Sequence, residues 1–375
     1  MRRIPLLNHD QTLFRDIEVF EASFVPEQLY HREAQVKELA FLISPALRGV
    51  SPENAILRGP PGTGKTSTVQ RVFAELKDTT HRAVPVYINC RHDHTTLAVY
   101  QRIAGQLFGY KTPSRRLEDI REAIAAALRE TDVTLLVCFD DAEHLVVAGT
   151  YNNLLYQILR LYEGWEDLRA PGVIVVTSDL EMQLYAEADG PVRSVFHPTE
   201  IFFPPYAKTE IREILTDRVR QGLYPGVMPP AVIDLAAGMA SDAGDIRLGI
   251  ALIKAAVLRA EVDGRRRVEK EDLISVAPGI RPPALDVRVA ALAPGERALL
   301  YGLAERSLSG EEMLSGTVFE EMRDYIAVGK TTYYNRLRRL AAAGIVDLLR
   351  GAGGQQVVVL RYNPEDLLAA SAPER

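Results

Sequence analysis

The segment GPPGTGKT, Gly59–Thr66, constrains the fold more than any other feature of this chain. It matches the pattern G-x-x-x-x-G-K-[ST] and stands between an apolar, strand-like run and a segment of helical periodicity. Glycines let the backbone wrap closely, so that N–H groups at a helix N-terminus can face phosphates. The pattern predicts that Lys65 binds β- and γ-phosphates and that Thr66 is a Mg²⁺ ligand. The predicted nucleotide-binding residues of the loop are Gly59, Pro60, Pro61, Gly62, Thr63, Gly64, Lys65 and Thr66.

The surroundings of this loop predict an α/β domain. From residue 54 to about residue 203, short runs rich in Val and Ile alternate with helix-length segments. Apolar character that is continuous along each run suits strands of a parallel sheet covered on both faces. We therefore expect a doubly wound P-loop domain over residues 1–204.

The rest of the chain divides into two further parts. Residues 208–276 contain four helical patterns and no strand pattern, which predicts an all-α domain over residues 205–276. The proline-rich stretch that follows predicts a linker over residues 277–289. Residues 290–375 are expected to form a third compact unit of helices that ends in a two-stranded element.

Composition limits the possible surroundings and partners of the protein. No apolar run approaches the length of a membrane span, and the N-terminus lacks a signal-peptide pattern. Two cysteines make no disulfide framework, and the CRHDH cluster from Cys90 matches no common zinc spacing. We therefore expect a soluble, cytoplasmic protein without a membrane partner. The formal net charge is -6, so nucleic acid would require a local basic patch.

A second nucleotide motif is LLVCFDDAEH, which ends in acidic residues. Asp140 would lie at the carboxyl end of a strand, where an acid commonly holds Mg²⁺ through water. Asp141 stands where many such ATPases place a glutamate that orients the attacking water. Aspartate is one methylene shorter, which predicts slow hydrolysis. Glu143 could substitute for the glutamate or be a solvated loop acid.

The helix predicted from Lys330 to Ala343 is basic and supplies the local positive patch that nucleic-acid binding would require in this acidic chain. Residues 328–361 hold six basic residues and one acid, a net charge of +5. A C-cap at Gly344 and a hairpin follow, which is the element order of a winged helix. The predicted polar face carries Thr332, Asn335, Arg336 and Arg339, and the predicted apolar face carries Tyr334, Leu337, Leu340 and Ala341.

This helix predicts a DNA-binding surface, with a solvated face used for protein contacts as the alternative. Arg336 and Arg339 are the candidates for the major groove. Lys330, Arg338 and Arg350 are the candidates for phosphate contacts.

These features together resemble the archaeal replication-initiator family, relatives of the eukaryotic origin-recognition and cell-division-control ATPases of the AAA+ class. The resemblance spans nearly the whole chain and includes FFPPYAKTEIREILTDR and GDIRLGI. It implies an AAA+ domain, a lid domain and a winged helix. It further implies nucleotide contacts by Arg32, Tyr206 and Arg218, and a γ-phosphate contact by Arg247. The alternatives are that Tyr206 packs at a domain boundary, that Arg218 is an exposed helix arginine and that Arg247 pairs with an acid within the lid.

The chain departs from the family in the residues that support hydrolysis. Ser178 stands where the family usually has an asparagine, and Pro191 stands where the inter-subunit arginine is expected. Arg193 comes two residues later. Together with Asp141, these departures predict a nucleotide-binding switch that is a slow ATPase at most.

The function implied by the resemblance is an ATP/ADP-switched, Mg²⁺-dependent initiator associated with the nucleoid. Its expected partners are double-stranded origin DNA, the replicative helicase and a related initiator. Two alternatives stay open at this point. One is an AAA+ motor of the branch-migration type, which requires fast hydrolysis, and the other is a winged-helix ATPase of transcription or signalling.

Overall fold

The computed structural model of the protein describes residues 12–110, 116–165, 167–180, 182–280, 285–309, 313–326, 328–350, 356–360, 362 and 364–371. The chain forms two compact units, residues 1–276 and residues 277–375, which are described separately. In the described ranges, no helix is both long enough and apolar enough to cross a membrane.

A parallel sheet forms the centre of the first unit, as predicted. Within the described residues it has five strands in the order β2-β3-β4-β1-β5. The strands are β1 (Ala55–Arg58), β2 (Ala83–Asn89), β3 (Thr134–Asp140), β4 (Gly172–Thr177) and β5 (Thr199–Phe202). Because all pairings are parallel, the carboxyl ends of the strands lie at one edge, where open α/β sheets bind ligands.

Helices cover both faces of this sheet. One core holds residues of the first two helices, including Leu39, Val69 and Phe73, and the other holds Tyr100, Ile124 and Leu154. The helices before the lid are α1 (Glu33–Ile43), α2 (Lys65–Thr79), α3 (Thr96–Phe108), α4 (Leu117–Glu130), α5 (Glu143–Val147), α6 (Tyr151–Leu159), α7 (Leu184–Glu187) and α8 (Gly190–Arg193). Short 3-10 helices span Glu18–Phe20, Ser44–Arg48 and Leu161–Gly164.

Four helices follow the sheet, in the region predicted to be all-α. They are α9 (Lys208–Gly222), α10 (Pro230–Asp242), α11 (Ile246–Val262) and α12 (Lys270–Ile280). The last of these continues through Pro278, so the start of the predicted linker is helical. Most of the rest of that stretch forms α13 (Leu285–Ala290), in which Val289 is fully buried. The linker prediction took every proline as a break, whereas Pro278 stands near the end of α12, where it removes one helix hydrogen bond and few further turns would follow.

The second unit has the predicted helices and two-stranded element, but it does not end there: a helix that was not predicted follows the hairpin. After α13 come α14 (Pro294–Leu308), α15 (Ser315–Ile326), α16 (Lys330–Ala342), β6 (Val346–Arg350), β7 (Gln356–Leu360) and α17 (Pro364–Ser371). The two strands pair antiparallel, with Val346 opposite Leu360. Buried apolar residues from α14, α15, α16 and the hairpin form one core, which includes Leu299, Val318, Tyr333, Leu337 and Val358.

Gly344 ends α16 and turns the chain into β6, as predicted. Its φ of +68° is a left-handed conformation that glycine adopts without steric strain. The N–H of Gly344 bonds the carbonyl of Ala341, and the N–H of Ile345 bonds the carbonyl of Leu340. This double pattern is the Schellman motif, which satisfies the last carbonyls of the helix.

Candidate nucleotide site and nucleic-acid interface

The glycines of the loop between β1 and α2 are required by the close approach of other segments. A Cβ atom at Gly59 would lie 2.2 Å from the carbonyl oxygen of Phe203, just after β5. A Cβ atom at Gly64 would lie 2.8 Å from the hydroxyl of Tyr206, and the φ of Gly64 is +92°. The loop is therefore held against the segment that leads into the lid helices. Its close wrapping fits a phosphate cradle.

Lys65 folds back over the loop. Its Nζ donates hydrogen bonds to the carbonyl oxygens of Gly59 at 2.6 Å and Pro60 at 2.8 Å. Burial lowers the pKa of Lys65 to about 8, although the nearby carboxylate of Asp140 opposes this shift. The structure thus places a partly desolvated cation beside the loop, as phosphate binding requires.

Asp140, at the carboxyl end of β3, accepts hydrogen bonds from two hydroxyl groups. Its Oδ2 accepts a hydrogen bond of 2.7 Å from Thr66 and one of 2.6 Å from Tyr87. Burial raises the pKa of Asp140, and the hydrogen bonds from Tyr87 and Thr66 counteract part of that shift. Carboxylate and hydroxyl oxygens are hard donors of the kind that Mg²⁺ prefers, so the predicted pair Thr66 and Asp140 fits this ion.

Tyr87 was not foreseen from the sequence. It lies on β2 opposite Cys138 in the parallel register, so its side chain leaves the sheet on the same face as that of Asp140. The register of neighbouring strands would have indicated this contact, but a single sequence does not supply that register.

Asp141 has an unusual backbone and a partner that the sequence did not reveal. Its φ is +53°, in the left-handed region where aspartate is tolerated better than most residues. Its Oδ2 accepts a hydrogen bond of 2.7 Å from Nε of Arg91, which follows β2. The carboxylate in the position of the usual glutamate is therefore held by a cation from a neighbouring strand end.

Glu143 is a partly buried acid and not a solvated one. Burial raises its pKa, opposed by its own backbone N–H and by a hydrogen bond with the Thr177 hydroxyl. Its Oε2 is buried and accepts no hydrogen bond from the described residues. Thr177 ends β4 and is buried, whereas the predicted Ser178 follows it and is half-buried. Thus Thr177, which the sequence analysis did not select, is the β4 residue that contacts this acid, while a role for Ser178 stays a prediction.

Arg32 and Tyr206, both implied by the family resemblance, lie together beside the loop. The Arg32 guanidinium is 3.7 Å from the centroid of the Tyr206 ring. Its Nε donates to the carbonyl oxygen of Thr63 at 2.8 Å, and its Nη2 donates to that of Pro204 at 2.6 Å. This buried arginine therefore ties the phosphate loop to the segment before α9.

Two other arginines singled out by the resemblance contact different segments. Arg218 is buried, donates from Nη1 to the carbonyl oxygen of Val19 at 2.9 Å and lies over the ring of Phe24. Arg193 is exposed and donates to the carbonyl oxygen of Ala186 at 2.6 Å. A nucleotide contact by Arg218 thus stays a prediction, since its described contacts are with the N-terminal segment.

Arg247 lies in the first turn of α11, where the prediction placed a γ-phosphate sensor. Its guanidinium is bound by Asp245, with Nη2 and Oδ2 2.6 Å apart. The carboxylate of Asp245 raises the pKa of Arg247, and Asp141 adds to the rise through its charge. Lid and loop thus meet through charged side chains.

The exposed face of α16 differs from the predicted one by a small rotation of the helix. Tyr333, rather than Tyr334, is fully buried, with its ring centroid 5.2 Å from that of Phe319. Arg336 is half-buried as a result, so the prediction that it belongs to the exposed face was wrong. The exposed residues of α16 are Lys330, Thr331, Thr332, Asn335, Arg338, Arg339 and Ala342.

The N-terminus of α14 holds the two arginines that had been assigned to the major groove. A Cβ atom at Gly295 would lie 2.4 Å from Nη2 of Arg336. Nη1 of Arg339 lies 3.0 Å from Oε1 of Glu296, although the arginine side chain is 73% exposed. Burial raises the pKa of Glu296, but the N–H of Ala293 and the Arg339 guanidinium outweigh it, so the net shift is downward. The side chain of Arg350 lies outside the described residues.

Two family models and several curated relatives match this chain. The model of the AAA domain matches residues 51–183, and that of the Cdc6 AAA+ ATPase-type lid domain matches residues 212–277. ORC1-type DNA replication protein 6 of Halobacterium salinarum is 36% identical over 369 residues, which are 97% of each chain. The chain belongs to the family of ORC1-type DNA replication proteins. ORC1-type DNA replication protein 2 of Methanosarcina mazei is 34% identical over 97% of both chains.

Solved structures agree with this membership. The ORC1-type chain is similar to the Aeropyrum pernix ORC1 protein in complex with DNA, with 26% identity, a TM-score of 0.67 and 96% of each chain covered. It is also similar to the ADP form of the Aeropyrum pernix ORC2 protein, with 23% identity, a TM-score of 0.71 and 96% and 100% of the two chains covered. The second likeness concerns the fold alone. The predicted family and the predicted AAA+ and lid architecture are confirmed.

Proposed function

We propose that this ORC1-type protein is an ATP/ADP-switched initiator that recognises replication origins in double-stranded DNA and helps to load the replicative helicase. The observation that carries the proposal is the phosphate loop with its neighbours: Lys65 folds back over it, Thr66 bonds Asp140, and the lid residue Asp245 lies against Gly62. The likeness to the Aeropyrum pernix ORC1 protein in complex with DNA supports DNA binding, and the match to the AAA domain over residues 51–183 supports nucleotide binding.

Nucleotide binding is assigned to the loop and its neighbours. In this site Lys65 would exchange its two carbonyl partners for β- and γ-phosphate oxygens, and Thr66 and Asp140 would hold Mg²⁺. Mg²⁺, when bound, neutralises phosphate charge. Arg32 and Tyr206 line the side of the loop that the family resemblance assigns to the nucleotide.

Hydrolysis is expected to be slow because the acid that would orient water has a short side chain and is already bound by an arginine. A general base must reach the proton that it accepts within hydrogen-bonding distance. Asp141 lacks one methylene of the usual glutamate, and one of its oxygens is bound by Arg91. The protein therefore acts as a nucleotide-state switch in this proposal rather than as a motor.

DNA binding is assigned to the exposed face of α16, inserted as the recognition helix of a winged helix. Asn335 and Arg338 lie at the centre of that face and are the candidates for base edges, with Thr332 beside them. Lys330 and Arg339 are the candidates for phosphate contacts. Recruitment of the helicase, together with a related initiator, would follow the nucleotide state.

A binding titration tests this proposal. The fluorescence anisotropy of a labelled origin duplex and of a scrambled duplex is measured at fixed physiological salt, with ATP, ADP or no nucleotide. We expect origin affinity about a thousandfold above that for the scrambled duplex, within the usual specific range. Equal, weak and steeply salt-dependent binding to both duplexes would contradict origin recognition and favour a promoter-binding regulator or a motor.

The rate of ATP hydrolysis distinguishes a nucleotide switch from a DNA motor. Phosphate release is measured with and without duplex DNA at saturating ATP. We expect a rate well below one per second in both cases, whereas DNA-stimulated turnover of several per second, ordinary for efficient enzymes, would contradict the switch.

A further inference from the structure

A carboxylate of the lid would compete with the γ-phosphate of a bound triphosphate for the guanidinium of Arg247. Arg247, the predicted γ-phosphate sensor, is bound by Asp245 two residues before it. Nε of Arg247 lies 2.9 Å from Oδ1 and 3.0 Å from Oδ2 of Asp245, and Nη2 lies 2.6 Å from Oδ2. The guanidinium thus already has a two-oxygen anionic partner of the kind that a phosphate would provide.

The same carboxylate lies directly against the phosphate loop. A Cβ atom at Gly62 would be 2.1 Å from Oδ1 of Asp245 and 3.2 Å from its Cα. The left-handed φ of Gly62, +73°, independently requires glycine at this position. An acid of the lid therefore rests on a loop whose backbone is built to receive anions.

Arg247, paired with Asp245, lies close enough to the charged residues around the expected phosphate position to interact with them. Burial is the main cause of the lowered pKa of Lys65, and the charge of Arg247 adds to it. The charge of Asp141 in turn raises the pKa of Arg247, after the larger effect of its bond to Asp245. Arg247 is therefore close enough to Lys65 and Asp141 for their charges to interact.

The ion pair is weak enough to be exchanged. The Arg247 side chain is 63% exposed and that of Asp245 is 28% exposed. Exposed ion pairs contribute little net free energy, because water screens both charges. A phosphate held by Lys65 and Mg²⁺ can therefore compete with Asp245 for the guanidinium.

We propose that Asp245 is a specificity-determining residue that sets the preference of this protein between ATP and ADP. With ADP, Arg247 stays on Asp245; with ATP, the guanidinium leaves the carboxylate and binds the γ-phosphate. The carboxylate, fixed on the loop, also repels the more highly charged triphosphate. Asp245 thereby weakens ATP binding more than ADP binding and couples the γ-phosphate to the first turn of α11. This inference rests on the proposed nucleotide switch.

The capping role of Asp245 can be separated from its charge. Asp245 is the N-cap of α11, where its side chain accepts a hydrogen bond of 2.9 Å from the N–H of Arg247. Asparagine and serine cap helices about as well as aspartate. The variants Asp245→Asn and Asp245→Ser therefore keep the cap and remove the carboxylate.

The test measures the Kd values of ATP and ADP, each with Mg²⁺, by displacement of a fluorescent nucleotide. The proteins are the full-length wild type, Asp245→Asn, Asp245→Ser, Arg247→Ala and the double variant Asp245→Asn/Arg247→Ala. Asp234→Asn removes an acid of equal charge from the exposed lid pair with Arg212 and serves as the control. Melting temperatures without nucleotide check that each variant folds.

We expect both Asp245 variants to raise the preference for ATP over ADP by about fivefold, the lower end of usual coupling between sites. The Arg247→Ala background should remove the part of this gain that comes from releasing the guanidinium and leave only the part due to charge repulsion, and Asp234→Asn should leave the preference unchanged. An unchanged preference in well-folded Asp245 variants, or weaker ATP binding, would overturn the role of Asp245 alone. Failure of the wild type to bind either nucleotide would overturn the switch itself.

Discussion

The phosphate loop and the α16 helix both present cations, but they do so in opposite ways. Around the loop, Lys65 is buried and its neighbours come from distant parts of the chain: Asp140 is 74 residues from Thr66, and Asp141 is 50 residues from Arg91. On α16, Asn335 and Arg338 are displayed by one regular helix whose other face is buried. Buried cations depend on their partners far more than exposed ones do.

This difference implies two kinds of response to mutation. Side chains around the loop share partners, so their effects on nucleotide binding should be strongly coupled. Side chains on the exposed face of α16 act through separate contacts, so their effects on DNA affinity should be closer to additive. The comparison would fail if a loop substitution left nucleotide affinity unchanged, or if one α16 substitution abolished DNA binding altogether.

The largest effect is expected when the buried cation of the phosphate loop is removed. Lys65→Ala should weaken ATP binding about a hundredfold or more, roughly 3 kcal/mol, because a desolvated charge partner of the phosphates is removed. Isothermal titration with ATP and Mg²⁺ measures the change. Lys77→Ala, which removes an exposed cation of the same helix, is the control and should have no such effect. A loss under threefold for Lys65→Ala would mean that the loop does not bind phosphate through this residue.

The next effect is a pH dependence confined to the nucleotide site. The charged form of Lys65 binds phosphate, and its pKa in the free protein is lowered to about 8. Affinity is therefore complete below this pKa and is lost as the pH rises through it, by about tenfold between pH 7 and pH 9. Nucleotide titrations across this range measure the change.

The control for this pH dependence is DNA affinity over the same range. Arginine does not titrate there, so contacts by Arg338 and Arg339 should stay constant. ATP affinity that rises with pH, or that falls in parallel with DNA affinity, would contradict the assignment to Lys65.

A smaller effect is expected at the centre of the exposed face. Arg338→Ala should lower DNA affinity about fivefold, near 1 kcal/mol, because one charge-assisted contact is lost. If that contact is with a phosphate, the slope of log affinity against log salt should fall by about one; if it is with a base edge, the preference for origin sequence should fall instead. Lys37→Ala, an exposed cation of the first unit, is the control. Unchanged affinity and unchanged slope together would remove Arg338 from the interface.

The smallest expected effect concerns Arg339, an α16 cation that pairs with an acid of α14. Glu296→Gln should raise DNA affinity about twofold, because the exposed guanidinium of Arg339 is released from its ion pair with the buried Glu296. The side-chain oxygen of glutamine can still accept the hydrogen bond from the N–H of Ala293, so the start of α14 is preserved. The measurement is the same anisotropy titration, with the melting temperature as a check on folding. Reduced DNA affinity in a folded Glu296→Gln protein would instead make Glu296 a residue that positions Arg339 for DNA.

Several parts of the fold could be predicted because they depend on nearby residues. The parallel sheet followed from continuous apolar runs, and the end of α16 followed from Gly344. The exact face of α16 did not, because Tyr333 and Tyr334 are equally plausible core residues until Phe319, on another helix, selects Tyr333. The linker prediction was incomplete for a related reason: the core of the second unit buries Val289 and stabilises a short helix there.

The phosphate loop and the order of elements up to the hairpin followed from the sequence alone, since these depend on hydrogen bonding and periodicity over a few residues. The Thr66 and Asp140 pair, 74 residues apart, could also be named because each residue lies in a recognisable nucleotide-site motif. Only the tertiary structure decided that Tyr87 bonds Asp140, that Arg91 holds Asp141 and that Asp245 rests on Gly62 while binding Arg247. Apart from the pair of Asp245 and Arg247, these contacts join residues that are far apart in the chain. Their partners are chosen by strand register and by the docking of the lid on the loop, and no short segment carries that information.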